Sequence, residues 1–228
     1  MDRILKGSID SFIENTRHKH RGSQTVGEYH PSHIPYCMRR VWYDFKIGRE
    51  FPIEVKRKME AGKVIHSWMD GVFKSDGKIT VLETEITKER GIGGLKFKGT
   101  CDFIVEADGQ KAIIDIKSTS WLKSQIEKGQ DLKDHHITQV MVYSWMFDIP
   151  TAYLLYIDRS DLTTSCHKVE FDKNEFEGIL RRTTTLDAHL TENTLPEAEG
   201  KLDKDRNWEC KNCPYSVECE NNKMEVKE

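Results

Sequence analysis

The sequence predicts a single α/β or α+β domain, and three observations support that prediction. Segments with strand-like alternation and segments with helical periodicity follow one another along the chain. The length of 228 residues is enough to bury one sizeable core. Five tryptophans, nine phenylalanines and seven tyrosines exclude a wholly disordered chain. We therefore expect one domain over residues 1–228.

Helices are indicated by apolar positions that recur every three or four residues. The clearest helix covers residues 54–74, where one apolar stripe comprises Ile65, Trp68, Met69, Val72 and Phe73. His66 borders this stripe. Further helices are predicted over residues 2–16, 32–45, 138–147 and 173–190.

Alternating apolar and polar residues predict strands over residues 79–86, 95–105, 111–118, 152–158 and 168–171. Asp108-Gly109, between the second and third strands, is a strong signal for a two-residue hairpin loop. With these two residues in the loop, Asp102 faces Asp115 across the hairpin. Because side chains alternate with period two, Lys117 shares the face of Asp115.

The two facing carboxylates point to a metal site. Carboxylates directly opposite each other repel, and the isoleucines around Asp115 make an uncompensated charge there costly. A divalent cation would relieve the repulsion, and oxygen ligands suit Mg²⁺ or Mn²⁺. Lys117 would then stabilise developing negative charge or steer an attacking water. The alternative is a surface hairpin with solvated acids and an ordinary lysine partner.

The order of these residues resembles a known family. The segments G-T-C-D (99–102), I-I-D-I-K-S (113–118) and H-H-I-T-Q-V-M-V-Y (135–143) are similar to motifs of the PD-(D/E)XK nuclease superfamily, in its RecB-like branch. The resemblance implies a restriction-endonuclease-like central mixed sheet flanked by helices. It also implies DNA hydrolysis that depends on Mn²⁺ or Mg²⁺.

The resemblance also implies roles for individual residues. It assigns metal binding to His66, Asp102 and Asp115, and catalysis to Asp102, Asp115, Lys117, Gln139 and Tyr143. Three alternatives stay open. His66 is also interpretable as a hydrogen-bonded histidine at the core margin, Gln139 and Tyr143 as residues that hold their helix on the sheet, and Glu85 as a further group near the cation.

Three of the six cysteines, Cys210, Cys213 and Cys219, have the spacing C-x2-C-x5-C. This provides three ligands for a site that usually takes four, and thiolates accept either Zn²⁺ or an iron–sulfur cluster. Similarity to CRISPR-associated four-cysteine exonucleases adds Cys37 and favours a 4Fe-4S cluster. The cluster region would join the helix near 32–45 to the tail 205–220. Cys101 and Cys166 are interpreted as free thiols.

The charge of −3 excludes a purely electrostatic nucleic-acid binder but leaves room for local contacts. Basic clusters occur at residues 17–21, 39–40, 56–58 and 181–182, and the aromatic candidates for base stacking are Trp42, Tyr43 and Trp121. The resemblance implies a substrate of single-stranded DNA, or DNA with single-stranded ends. It further implies processing of DNA ends in CRISPR spacer acquisition, beside an integrase complex.

Two alternatives share the same motifs. One is a stand-alone viral or repair iron–sulfur nuclease, and the other is a non-catalytic DNA-binding module around a zinc or iron–sulfur centre. The sequence has no apolar run long enough for a membrane helix and no apolar signal core at its start. We therefore expect a cytoplasmic protein with no membrane partner.

Overall fold

A mixed sheet forms the middle layer of the computed structural model, which describes residues 2–16, 25–48 and 50–222. In these residues the sheet has six strands: β1 (Glu28–Tyr29), β2 (Thr80–Ile92), β3 (Leu95–Ala107), β4 (Gln110–Thr119), β5 (Thr151–Asp158) and β6 (Thr164–Glu170). Their order is β1-β3-β4-β5-β6, and β2 also pairs with β3. The pairs β1–β3 and β4–β5 are parallel and the other pairs are antiparallel, so the predicted mixed sheet is confirmed.

Helices cover both faces of this sheet. The longer ones are α1 (Asp2–Asn15), α2 (Met38–Lys46), α3 (Ile53–Asp76), α5 (Asp134–Phe147) and α6 (Lys173–Thr191), and α4 (Leu122–Glu127) is a short helix after β4. The tail contains α7 (Glu199–Leu202), a 3₁₀ turn (Lys204–Arg206), α8 (Asn207–Lys211) and α9 (Ser216–Glu220). Every helix in the described residues is too short or too polar to cross a bilayer.

Two hydrophobic cores lie on opposite faces of the sheet. Ile65, Met69 and Phe73 of α3 pack on one face against residues such as Phe103. Residues of α2, α5 and α6 pack on the other face, where Trp42 is fully buried. The predicted stripe of α3 is therefore correct except at Trp68, whose side chain is 46% exposed.

The predicted helix over residues 32–45 begins too early. Residues 31–36 form turns, and α2 starts at Met38 with Cys37 as its N-cap. Pro35 explains the difference, because the residue before a proline is disfavoured in helical conformation. Two carboxylates from the tail cap α2 instead, since the Cys37 N–H donates to Glu209 (2.7 Å) and the Met38 N–H donates to Glu199 (2.7 Å).

Candidate active site

The two predicted carboxylates lie where β3 and β4 separate. The hairpin has the predicted register, which pairs Phe103 with Ile114, and the recorded pairing ends there. Beyond it, Oδ2 of Asp102 accepts a hydrogen bond from the backbone N–H of Ile116 at 2.7 Å. The carboxylate thus occupies the place that a backbone carbonyl takes in a continued ladder. The ladder therefore ends one pair before the predicted pairing of Asp102 with Asp115, and both residues lie at this fork.

Asp115 is almost completely buried, with 2% of its surface exposed. Its Oδ2 lies 2.6 Å from Nζ of Lys117, and its Oδ1 accepts a hydrogen bond from Nε2 of Gln139 at 3.2 Å. The Gln139 side chain also accepts a hydrogen bond from Lys117 Nζ at 2.9 Å. The contact between Lys117 and Oδ2 lacks hydrogen-bond geometry, so this buried oxygen has a charge partner but no donor.

A second group of ligand atoms faces Asp102 from α3 and β2. In the described residues, His66, Glu85 and Asp102 offer atoms that all lie within 4.8 Å of one another. Nδ1 of His66 lies 3.5 Å from Oδ1 of Asp102 and 3.7 Å from Oε1 of Glu85. Asp115 is not part of this triple. The structure therefore places the candidate Glu85 at the site and separates Asp115 from the tightest ligand set.

Glu85 reaches the site through an irregularity in β2. Its φ is 49°, in the left-handed region that few non-glycine residues adopt. Pairing between β2 and β3 continues on both sides of it, through Thr84 with Phe103 and Ile86 with Cys101. The bend thus interrupts the ladder at Glu85 and Asp102, the two residues whose carboxylates approach His66.

The electrostatics of the site favour a bound cation. Burial raises the pKa of Asp102 well above its usual range, and the negative charge of Asp115 raises it further. The positive charge of Lys117 opposes this increase. One lysine therefore shares a buried region with two carboxylates, and an oxygen of Asp115 lacks a donor. Oxygen and imidazole ligands around an uncompensated negative charge fit a hard divalent ion.

Side chains complete the open edge of β3 next to the site. This edge pairs with β1 at residues 96–97 and with β4 from Phe103 onward. Between these stretches, the carbonyl of Lys98 contacts Nδ1 of His30 (2.8 Å), and the carbonyl of Thr100 accepts a hydrogen bond from the Tyr143 hydroxyl (2.8 Å). A Cβ at Gly99 would lie 2.7 Å from the Tyr143 ring, so α5 approaches β3 as closely as glycine permits.

Gln139 and Tyr143 connect α5 to both strands of the fork. Nε2 of Gln139 donates to the Tyr143 hydroxyl at 3.1 Å, so the two side chains form one network with Asp115 and Lys117. Both residues are buried. The contacts agree with the packing interpretation of Tyr143, and they place Gln139 where it orients Lys117.

The four predicted cluster cysteines line one cavity between α2 and the tail. Burial raises the pKa of Cys210 and Cys213, and negative charge on Cys37 and Cys219 raises both further. In the described part of the chain, no three of these thiols lie within 4.8 Å of one another. The tail is also attached to α2 by Arg39, which donates to the carbonyl of Pro196 at 2.7 Å.

Several of the residues predicted to contact DNA have other roles in the structure. Trp42 and Tyr43 are fully buried and belong to the core, so they do not stack on bases. Arg182 donates to the carbonyls of Ile34 and Tyr36 and pairs with Glu199. A charge cluster or an aromatic pair is visible in the local sequence, but the partners that occupy these side chains come from distant segments. The sequence alone therefore does not predict these roles. The basic cluster at residues 17–21 lies outside the described residues.

Comparison with known proteins identifies the family. The profile of the PD-(D/E)XK nuclease superfamily matches residues 20–220. The chain belongs to the PD-(D/E)XK nuclease superfamily. This membership agrees with the D…D-x-K order of Asp102, Asp115 and Lys117 at the fork.

Individual relatives of this PD-(D/E)XK chain include exonucleases. The CRISPR-associated exonuclease Cas4 of Saccharolobus solfataricus is 31% identical over 188 residues, which cover 80% of this chain and 82% of that protein. The solved structure of SSO0001 has a TM-score of 0.64 and 25% identity, covering 94% of this chain and 97% of that one. The alkaline exonuclease LHK-Exo of Laribacter hongkongensis shares the fold, with a TM-score of 0.55, 16% identity and coverage of 73% and 89%.

The PD-(D/E)XK assignment confirms three predictions: the family, the central mixed sheet flanked by helices, and the class of metal-dependent DNA nucleases. Nucleases of this superfamily use divalent metal ions, and the structure contains an acidic group that could hold one. Sequence reasoning missed the carboxylates Glu199 and Glu209 that cap α2. No sequence pattern signals them, because they lie 161 and 172 positions from their partners.

Proposed function

We propose that Asp102 and Asp115 hold a catalytic Mn²⁺ or Mg²⁺, with His66 as a nitrogen ligand and Glu85 as a further carboxylate. The observation that carries the proposal is the fork between β3 and β4. There the buried Asp115 and the partly buried Asp102 lie near a single lysine, and Oδ2 of Asp115 has no donor. A cation at this point compensates the charge and satisfies the free oxygen. His66 and Glu85 complete the ligand set from the other side of Asp102.

The remaining residues of the network support phosphodiester hydrolysis. Hydrolysis joins a water oxygen to phosphorus and breaks the bond to the leaving oxygen of the sugar. A bound divalent ion polarises a phosphoryl oxygen and lowers the pKa of a coordinated water. Lys117 places its charge where the phosphoryl oxygens become more negative. Gln139 holds Lys117 in that position, and Tyr143 fixes α5 to β3.

We also propose that Cys37, Cys210, Cys213 and Cys219 hold a 4Fe-4S cluster. The four described thiols line one cavity between α2 and the tail, which supports one shared centre. Thiolates accept either Zn²⁺ or an iron–sulfur cluster, and the similarity to four-cysteine exonucleases favours the cluster. The cluster would join α2 to the tail as a structural centre of the single domain.

The proposed substrate is single-stranded DNA, or DNA with single-stranded ends, and the proposed action is exonucleolytic. The similarity to Cas4 of Saccharolobus solfataricus supports a role in processing DNA ends during CRISPR spacer acquisition, beside an integrase complex. A stand-alone viral or repair nuclease would have the same site. The absence of a bilayer-spanning helix from the described residues is compatible with the proposed cytoplasmic location.

Cleavage of a labelled single-stranded oligonucleotide in Mn²⁺ tests the catalytic proposal. We expect the native protein to cleave it and Asp115→Ala to be at least ~100-fold slower, because the substitution removes a ligand and the partner of Lys117. Asp148→Ala is the matched control, since Asp148 pairs with Arg90 at the surface. Equal cleavage by native protein and Asp115→Ala, or none by either, contradicts the enzyme and favours a non-catalytic binding module.

Two further measurements test the finer proposals. A circular single strand has no end, so an exonuclease degrades the linear form and leaves the circle intact. Degradation of both forms would show endonucleolytic action. For the cluster, we expect anaerobically purified protein to be coloured and to contain iron and acid-labile sulfide. Colourless protein that contains zinc would contradict the iron–sulfur assignment.

A further inference from the structure

Trp121 is the most exposed large hydrophobic residue among those described, with 81% of its surface accessible. It follows Lys117 by four residues, a distance that the backbone spans in at most ~14 Å. The Cα atom of Trp121 therefore lies within ~14 Å of the Cα atom of Lys117. Single exposed apolar residues are common on protein surfaces, so exposure alone says little about function.

The backbone of Trp121 provides an independent observation. Its φ of 65° and ψ of 31° place it in the left-handed region. A bulky residue rarely adopts this conformation, because Cβ crowds the following carbonyl. Strained conformations of this kind cluster at active sites and ligand-binding clamps, where the surrounding structure enforces them.

Hydrogen bonds hold the segment around Trp121 in place. The N–H of Leu122 donates to Oδ2 of Asp158 at 2.7 Å, and the Leu122 side chain is fully buried. On the other side of Trp121, the carbonyl of Ser120 accepts a hydrogen bond from Nε2 of Gln125 at 2.9 Å. The indole is therefore exposed on a fixed turn rather than on a loose one.

Arg159 adds a positive charge to the same segment. Its Nη2 donates to Oγ of Ser120 at 2.7 Å, and its Nη1 lies 3.4 Å from the carbonyl of Ser118, the residue after Lys117. The ion pairs recorded for the described residues give Arg159 no carboxylate partner. A part-buried guanidinium without an acidic partner is suited to a phosphate.

We propose that Trp121 and Arg159 form a subsite for one nucleotide of the DNA strand beside the scissile phosphate. The indole stacks on the base and the guanidinium contacts its phosphate. The proposal rests on the proposed function, because a DNA strand must reach the adjacent centre. It commits to a single-stranded segment, since base faces are available for stacking only outside a duplex.

The test measures binding of a labelled single-stranded oligonucleotide in a chelator, where no cleavage interferes. An abasic position is moved through the oligonucleotide one nucleotide at a time. We expect native protein to lose about 5- to 150-fold in affinity when the abasic position coincides with the subsite. Trp121→Ala should bind the intact strand that much more weakly and be insensitive to the same abasic position. Trp121→Phe should recover most of the affinity, because phenylalanine also stacks.

Matched variants separate stacking from general effects. Trp68→Ala removes another exposed tryptophan, two residues from His66 and therefore on a different side of α3. We expect this variant to retain native affinity and native sensitivity to the abasic position. Arg159→Gln should reduce the slope of log affinity against log salt by ~0.7, the value for one phosphate contact with a single strand.

Retention of native affinity by Trp121→Ala, or equal sensitivity of native protein and Trp121→Ala to every abasic position, overturns the subsite. This readout does not depend on cleavage. Both proposals would be supported if Asp115→Ala loses cleavage and the affinity lost at the abasic position still depends on Trp121. Absence of cleavage in native protein, with that dependence on Trp121 intact, would contradict the catalytic proposal and leave the subsite supported.

Discussion

Asp102 opposes folding as long as no cation compensates its charge. Burial and the neighbouring negative charge raise the pKa of Asp102, so the charged form destabilises the folded state at neutral pH. Asp102→Asn removes that charge and retains an oxygen for the N–H of Ile116. In a chelator, we therefore expect Asp102→Asn to have a higher unfolding free energy than the native protein.

Thermal unfolding with and without Mn²⁺ measures this effect. Native protein should gain stability as Mn²⁺ is added, because the ion binds the folded state. Asp102→Asn should gain much less. Asp148→Asn, which changes an exposed carboxylate, serves as the control. Equal metal-induced stabilisation of native protein and Asp102→Asn would argue against a cation at Asp102.

Two neighbouring histidines predict how stability depends on pH. Burial, reinforced by the charge of Lys117, lowers the pKa of His135 to about 4 and that of His136 to about 2. The unfolded chain binds these protons below its ordinary value of ~6.5, whereas the folded protein does not. Stability should therefore fall as the pH decreases below ~6.5.

For His136, the expected loss between pH 6.5 and pH 5 is about 2 kcal/mol. Urea unfolding at pH 7.5, 6.5 and 5 measures it. His136→Gln should show a shallower decline, since glutamine retains polar contact with the Tyr156 hydroxyl and does not titrate. If the unfolding free energy of His136→Gln declines as steeply as that of the native protein, the pH dependence arises from other groups.

For individual residues, the sequence predicts those positions that follow from the alternation of side chains along a strand. The hairpin loop at Asp108-Gly109 sets the register, and the register places Asp102 and Asp115 directly after the last pair, Phe103 with Ile114. The approach of Glu85 to His66 depends on a local bend in β2, so alternation alone does not predict it. The burial of Arg182 depends on tertiary partners from segments far away in sequence.

Among the elements, the turn between β4 and α4 combines strain with exposure. Glycine adopts the left-handed conformation of Trp121 without crowding at Cβ. Trp121→Gly should therefore raise the unfolding free energy by ~1 kcal/mol. Chemical denaturation measures this gain. A loss of DNA affinity in the same variant would show that the strain is maintained for binding, whereas a loss of stability would indicate that the indole supports the turn.

Element boundaries were predictable where a strong periodic signal coincides with a cap or turn. The helix predicted over residues 54–74 corresponds to α3 (Ile53–Asp76), which ends at Gly77 with a φ of 69°. The predicted start of α2 is too early because Pro35 disfavours helical backbone at the residue before it. The caps of α2 are carboxylates from the tail rather than a neighbouring side chain. Local sequence contains no information about such a distant cap.

Segments that are far apart in the sequence meet at α2. Cys37 lies 173 positions from Cys210, and both line the same cavity. A centre that binds both constrains nearly the whole chain and reduces the entropy of the unfolded state. Cys37→Ser should therefore lower the unfolding free energy by about 2–4 kcal/mol and reduce the iron content.

Thermal unfolding and iron analysis test this prediction, with Cys166→Ser as the control because Cys166 is exposed and does not line the cavity. The loss should remain partial, since Glu199 and Glu209 still connect the tail to α2. Identical iron content in native protein and Cys37→Ser would exclude Cys37 as a ligand.

Gly99 shows how a position without functional groups can control chemistry. Any side chain there displaces the ring of Tyr143, which shares a hydrogen bond with Gln139. Gln139 in turn orients Lys117 and contacts Asp115. The close approach of α5 to β3 therefore couples the size of the residue at position 99 to the placement of Lys117, through Tyr143 and Gln139.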